Sequence, residues 1–377
     1  GEIYTEGPIG AETGGRYLQW FDRVIVAGRR GAQSAAPRFL TKVSAPGLDF
    51  RYLPDLSGLG RRFCSWAAAR DALRNLFNEA DAVIARLPSE LGIEAASLAQ
   101  HLDKPLALDI GGCVLDGMRA HGSLAGRLYA PVAYRRMRRV VRRASWVSYV
   151  TQRFLQERYP ADAHARTIAC SNVDLPDPAD EVLAARLARI DTDPRPLVFG
   201  TIGSLYGNFK GIDHALAAFK LAAPRLPTFR YRVLGGGNAE PWKKRAAKQG
   251  LADRVIFDGV LPAGSAVLAW LDGIDVYVQP SLREGLPRAL IEAMSRGCAA
   301  VASDIAGIPE LLPPERLHAP GDVRRLAELI VDSSAANSRR ESAKRNWELA
   351  RKYSSSTLRP LRSKFWQEFR DRLRESP

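Results

Sequence analysis

Cysteine is scarce: four in 377 residues, with no C-x-x-C pair. Cys64, Cys113, Cys170 and Cys298 stand far apart, which argues against a zinc knuckle or a disulfide framework and leaves buried, reduced thiols. Long apolar runs are missing as well. No stretch approaches the roughly 18 residues of a membrane span, and the first residues lack the basic-then-apolar layout of a secretory signal, so a cytoplasmic protein is expected. No G-x-G-x-x-G opens a helix, and Gly235-Gly236-Gly237 therefore reads as a structural turn, not as a dinucleotide fingerprint. Acid is in short supply, with 41 Asp and Glu against 55 Lys and Arg, a net charge of +14. The excess favours anionic partners such as nucleotide diphosphates or lipid phosphates. No aromatic-basic platform accompanies it, so no nucleic acid is expected.

What is present describes an α/β protein with two cores. Strands read at 22–27, 39–43, 50–53, 82–86, 105–110 and 145–150, with helices near 65–78 and 93–101, predict a parallel sheet covered on both faces. A second series opens at 197 with LVFGTIGSLYGNFKGIDHALAAF, a strand, a glycine loop and a helix, and continues with strands at 230–237 and 254–260. Between the two, the stretch 174–195 is rich in proline and aspartate and reads as a linker. The expected domains are therefore 1–173 and 196–354, followed by a helix at 355–377.

One stretch carries chemistry. Pro280 to Leu312 reads as a strand end, a loop with Glu284 and Gly285, a helix with Pro287 at its first position, a stop at Gly297 and a buried strand at 299–304. Strand, turn and helix in this order leave free N–H groups beyond the carboxyl edge of a parallel sheet, where anions settle. Glu284 lies ahead of the helix and Glu292 within it, too far apart for a glycosidase-type pair. A nucleotide sugar has the matching layout: sugar hydroxyls at Glu284, diphosphate at the helix start, ribose diol at Glu292.

E-x7-E within EGLPRALIEAMSRG, followed by VASDIAGIPELL, resembles the donor-binding signature of the retaining glycosyltransferases of family 4. The resemblance implies a GT-B fold: two Rossmann-like domains facing across a cleft, with the C-terminal helix crossing back to the first. It further implies that Lys210, beside Gly203, neutralises the donor diphosphate, where Ser204 replaces an arginine usual in the family. Arg283, Arg288 or Arg16 is then the candidate for the second positive charge. Gly14 and Gly15 resemble the family's N-terminal glycine loop, Val260 lies where the base is held by main chain, and Gly285, Leu286, Pro287 and Arg288 line the phosphate side. Asp109, at the end of LALDI, is the candidate for contact with the donor sugar, and Asp116 a less direct one. Asp191-Thr192-Asp193 is similar to the D-x-D motif of the other large glycosyltransferase fold, but it follows a helix-like run and reads as linker. No metal and no cofactor is implied, the UDP- or GDP-linked sugar being a substrate. The expected activity is retaining transfer of that sugar to a glycan or lipid-linked acceptor, with domain closure in the cycle. An epimerase or phosphorylase on the same fold, or an inactive partner subunit, are the rivals.

The most basic segment, 122–143, predicts an amphipathic helix with Leu124, Leu128, Val132, Val140 and Val141 on one stripe and arginines elsewhere. Such a helix is suited either to an anionic membrane surface or to a plain solvated face.

Overall fold

The structure, a computed structural model, describes residues 4–5, 15–29, 41–42, 45–54, 59–120, 124–192 and 196–375. Gly14, Asp193 and most of the strand expected at 39–43 lie outside them. The chain forms two compact units: Gly1–Tyr149, Arg158–Ile168 and Leu361–Pro377 make the first, and Val150–Glu157 with Ala169–Pro360 the second.

In the first unit β1 (Tyr4–Thr5) pairs antiparallel with β3 (Thr41–Lys42), and β2 (Val24–Arg29) pairs parallel with β4 (Leu48–Leu53). A four-stranded sheet follows in sequence order: β5 (Val83–Leu87), β6 (Leu106–Ile110), β7 (Trp146–Tyr149) and β8 (Arg166–Ala169). LALDI is buried at every position, as a central parallel strand covered on both faces requires. One side of the core comes from the chain's far end. Phe365, Trp366 and Phe369 of the Ser355–Glu375 helix pack on Tyr17, Trp20 and Ala107, with the Tyr17 and Trp366 rings edge to face at 5.2 Å.

The second unit is a six-stranded parallel sheet of β9 (Leu197–Ile202), β10 (Phe229–Leu234), β11 (Val255–Gly259), β12 (Val276–Gln279), β13 (Ala299–Ser303) and β14 (Leu317–His318). Its order is β11-β10-β9-β12-β13-β14. The order reverses between β9 and β12, and in such sheets the ligand crevice lies beyond the carboxyl ends of the strands at this switch point. Phe199, Phe219, Phe229 and Tyr231 fill the core beneath. Glu310 fastens the 150–157 segment to this unit: its carboxylate accepts the N–H groups of Gln152 (2.6 Å), Phe154 (2.9 Å) and Arg153 (3.1 Å).

Three sequence expectations change here. Pro287 is not the first helical residue but the N-cap, extended at ψ 112°, and the helix runs Arg288–Ser295. The helix-like run in the stretch read as a linker, Asp180–Thr192, is built into the second unit through Arg186, 5% exposed. Its guanidinium donates to the carbonyls of Leu271 (3.0 Å), Arg296 (3.0 Å) and Ile274. The basic helix, Leu124–Arg142, has two apolar stripes instead of one. Ala130, Ala133, Met137, Val140 and Val141 are buried, whereas Leu124, Leu128 and Val132 are 73%, 72% and 46% exposed. Arg136 is not solvated either: it bonds Glu90, Glu94 and Tyr129.

Candidate active site at the strand-order reversal

Two loops meet at the crevice. The first leaves β9 and runs from Gly203 to Gly211, and the second leaves β12 at Pro280. They touch where Gly211, at φ 66°, lies so close to the Pro280 carbonyl that a Cβ would stand 1.9 Å from its oxygen; Leu282 N–H also donates to Phe209 O at 2.8 Å. A Cβ at Gly235 would come within 2.0 Å of Gly203 O, so the turn after β10 joins the same cluster.

The functional groups sit on these contacts. Lys210 Nζ donates to Glu284 Oε1 at 2.6 Å, and Gln279 Nε2 donates to the same oxygen at 2.8 Å. Gln279 is itself held, bonding Ser281 Oγ through Nε2 and accepting from the Tyr277 hydroxyl at 2.8 Å. The Tyr277 oxygen accepts Ile202 N–H at 3.3 Å, tying the relay to the end of β9. Burial holds the Tyr277 phenol well above its ordinary pKa, so it stays a donor. Glu284 Oε2 has no hydrogen-bond partner among the described residues. Its side chain is 8% exposed, so this oxygen is presented in a fixed direction.

Glu292 lies on the Arg288–Ser295 helix, and its carboxylate likewise makes no hydrogen bond among the described residues. Burial raises its pKa and the nearby Arg288 charge opposes the rise. Gly285, Leu286 and Pro287 connect the two acids, with Gly285 O accepting Gly307 N–H at 2.9 Å. Ser204, in place of an arginine, is a loop residue: its Oγ accepts Tyr206 N–H at 3.1 Å. Val260, 38% exposed, follows β11 beside Gly236. A carboxylate gripped by one lysine and one amide, a second acid one helix away, and free helix N–H groups make a place for a polyhydroxylated anion.

The structure thus gathers Lys210, Gly203, Ser204, Glu284, Gly285, Leu286, Pro287, Arg288, Glu292 and Val260 in the second unit. Asp109 and Gly15 belong to the first. Asp109 is 6% exposed and engaged, 3.1 Å from Arg86 Nε with the Tyr17 hydroxyl at 3.5 Å. Asp116 pairs with Arg158 at 3.6 Å. Asp191 ends a helix and is held by Arg340. The Tyr277–Gln279 relay is absent from the sequence expectations; alternation along VYVQ, which puts Tyr277 and Gln279 on one face of β12, is the signal that pairs them.

Residues 196–334 match the family described as glycosyl transferases group 1. The chain is similar over nearly all its length to HepE of Anabaena, solved with UDP and glucose: TM-score 0.67 at 17% identity, covering 97% of this chain and 98% of HepE. The fold is GT-B. The matched stretch, 196–334, contains all the gathered residues, from Gly203 to Glu292. Beyond it, the chain is 26% identical to Protein CapJ of Staphylococcus aureus over 328 residues, 86% of this chain and 81% of CapJ. It is 36% identical to the putative colanic acid biosynthesis glycosyltransferase WcaL of Escherichia coli K12 over 135 residues, only 32% of each chain.

Proposed function

We propose that the protein is a retaining, metal-independent glycosyltransferase of family 4 that moves a sugar from a UDP- or GDP-linked donor to a glycan or lipid-linked acceptor in cell-surface polysaccharide synthesis. The observation that carries this is the Glu284 carboxylate, fixed by Lys210 and Gln279 at the strand-order reversal with Oε2 left for a ligand. Glu284 Oε2 accepts sugar hydroxyls, Glu292 accepts the ribose diol, and the helix start at Arg288 meets the diphosphate. Charge grows on the leaving diphosphate in the transition state, and Lys210 with the helix N–H groups stabilises it there. The leaving phosphate takes the proton of the acceptor hydroxyl, so no side-chain nucleophile is needed. The likeness to WcaL, a putative colanic acid biosynthesis glycosyltransferase, and to HepE, solved with UDP and glucose, supports this class of donor and product.

A thermal-shift panel of nucleotide sugars tests it. A donor present at about 100 times its Kd should stabilise the native state by about 2.7 kcal/mol. A panel of UDP- and GDP-sugars in which no member raises the Tm sinks the proposal. A stabilising donor that is never turned over, with any acceptor, favours the partner-subunit alternative raised by Ser204.

We place the protein in the cytoplasm, resting on the membrane through the exposed Leu124, Leu128 and Val132 stripe, which continues into exposed Arg135, Arg139 and Arg142. No described helix is long and apolar enough to cross a membrane. Each arginine near an anionic surface contributes about 1 kcal/mol. Vesicles rich in phosphatidylglycerol are expected to retain the protein at low salt and to lose it when Leu124 and Leu128 are both changed to Ser; neutral vesicles should retain little. Equal retention of native and double variant rules this surface out.

A further inference from the structure

The charges around the crevice stay net negative unless an arginine takes part. On the 203–211 loop and the 280–295 stretch the charged side chains are Lys210, Arg283, Glu284, Arg288 and Glu292. Lys210 is committed to Glu284 at 2.6 Å, and Glu292 adds a second negative charge. Without the two arginines the cluster is net negative and repels a diphosphate. Ser204 brings no charge, and its hydroxyl is used within its own loop.

Arg283 and Arg288 are both exposed, and neither is paired among the described residues. They differ in placement. Arg288 is the first residue of its helix, four residues before Glu292 and therefore on the same face, and its charge is felt at the Glu292 carboxyl. It stands beside the helix N–H groups that would receive a phosphate, whereas Arg283 sits in the preceding loop, off the helix that carries Glu292. An arginine there can fork two phosphate oxygens, which Lys210, held by Glu284, cannot.

We propose that Arg288 supplies the second positive charge on the donor diphosphate, in place of the residue at Ser204. This rests on the nucleotide-sugar reading above. Titration calorimetry of UDP, GDP, uridine and guanosine into the full chain tests both. Arg288→Ala is expected to weaken UDP and GDP binding by about ten- to a hundredfold, less so at high salt, with the nucleosides unaffected. Arg288→Lys, which keeps the charge but not the two-pronged contact, should recover only part of the affinity, and adding Ser204→Arg to Arg288→Ala should also recover part of what was lost. Native binding of UDP or GDP that survives Arg288→Ala unchanged overturns the assignment. So does a loss that falls on Arg283→Ala instead, or equally on the nucleosides, or that Ser204→Arg fails to relieve. If the native chain binds neither diphosphate, the nucleotide-sugar reading itself is wrong and Arg288 loses its role with it. Unchanged melting of each variant keeps a folding defect from being read as a binding one.

Discussion

Glu284→Ala is expected to lower kcat about a hundredfold while leaving affinity for UDP or GDP unchanged or slightly tighter. Losing one preorganised polar group aimed at the reacting centre costs on the order of 10²–10³ in rate. Nucleotide affinity should not follow, because removing the carboxylate releases Lys210 from its 2.6 Å pair and shifts the local charge by one unit toward positive. Glu284→Gln keeps an acceptor for Gln279 Nε2 but not the charge, and its rate should fall between the two. Glu292→Ala should do the reverse: nucleotide binding weakened by about 1.5–3 kcal/mol with kcat little changed. Since burial raises the Glu292 pKa, the charged form that accepts ribose hydroxyls accumulates only as pH climbs past the ordinary value of 4.5. Affinity should therefore rise with pH across that window in the native protein and lose this slope in Glu292→Ala. Steady-state kinetics beside calorimetry decides; kcat and Kd moving in step for Glu284→Ala would remove it from the chemistry.

Arg186→Met is expected to destabilise the second unit by about 3–5 kcal/mol, the range for breaking a buried charged network by deleting one partner. The side chain is 5% exposed, and burial pulls its pKa below the usual arginine range. What offsets that burial is a fan of acceptors: three carbonyls, with Cys298 Sγ at 3.3 Å and Asp275 at 4.0 Å. Methionine fills the space but leaves Arg296 O without its donor and Asp275 with less positive charge nearby. Arg186→Lys should fare little better, since one ammonium cannot reach acceptors spread around a planar fork. Two units rarely melt as one, so hydrogen exchange resolved to β12 and β13 is the proper measure. Protection there equal to the native level in Arg186→Met would show that the helix is merely resting on the sheet.

Much of the site was legible because its signals are local. In Arg-Glu-Gly-Leu-Pro-Arg the loop, the cap and the first helical residue fall within six positions, and Gly297 marks the helix end at φ 63° as its place in the sequence suggests. The parallel sheets follow from apolar runs such as LALDI and their alternation with helices, whereas the GT-B arrangement is implied only by the resemblance of EGLPRALIEAMSRG and VASDIAGIPELL. The rest depends on partners far away in sequence. Nothing near Arg186 announces carbonyls at 271, 274 and 296, so a helix-like run that belongs to the second unit reads as part of a linker. In the Leu124–Arg142 helix, burial of Met137, Val140 and Val141 depends on which face the Glu90–His101 and Val114–Ala120 helices cover, which apolar counting cannot tell from the exposed stripe. Gln279 reads as an ordinary strand polar until Glu284 folds back over it.

The separation between Arg186 and its acceptors, 85 to 110 residues, also sets an order of events in the cell. At roughly 5–20 residues per second the guanidinium leaves the ribosome on the order of ten seconds before the last carbonyl it needs has been made. Until then the Asp180–Thr192 segment travels as solvated nascent chain. Its attachment therefore has to wait until residues 271–296 have been made.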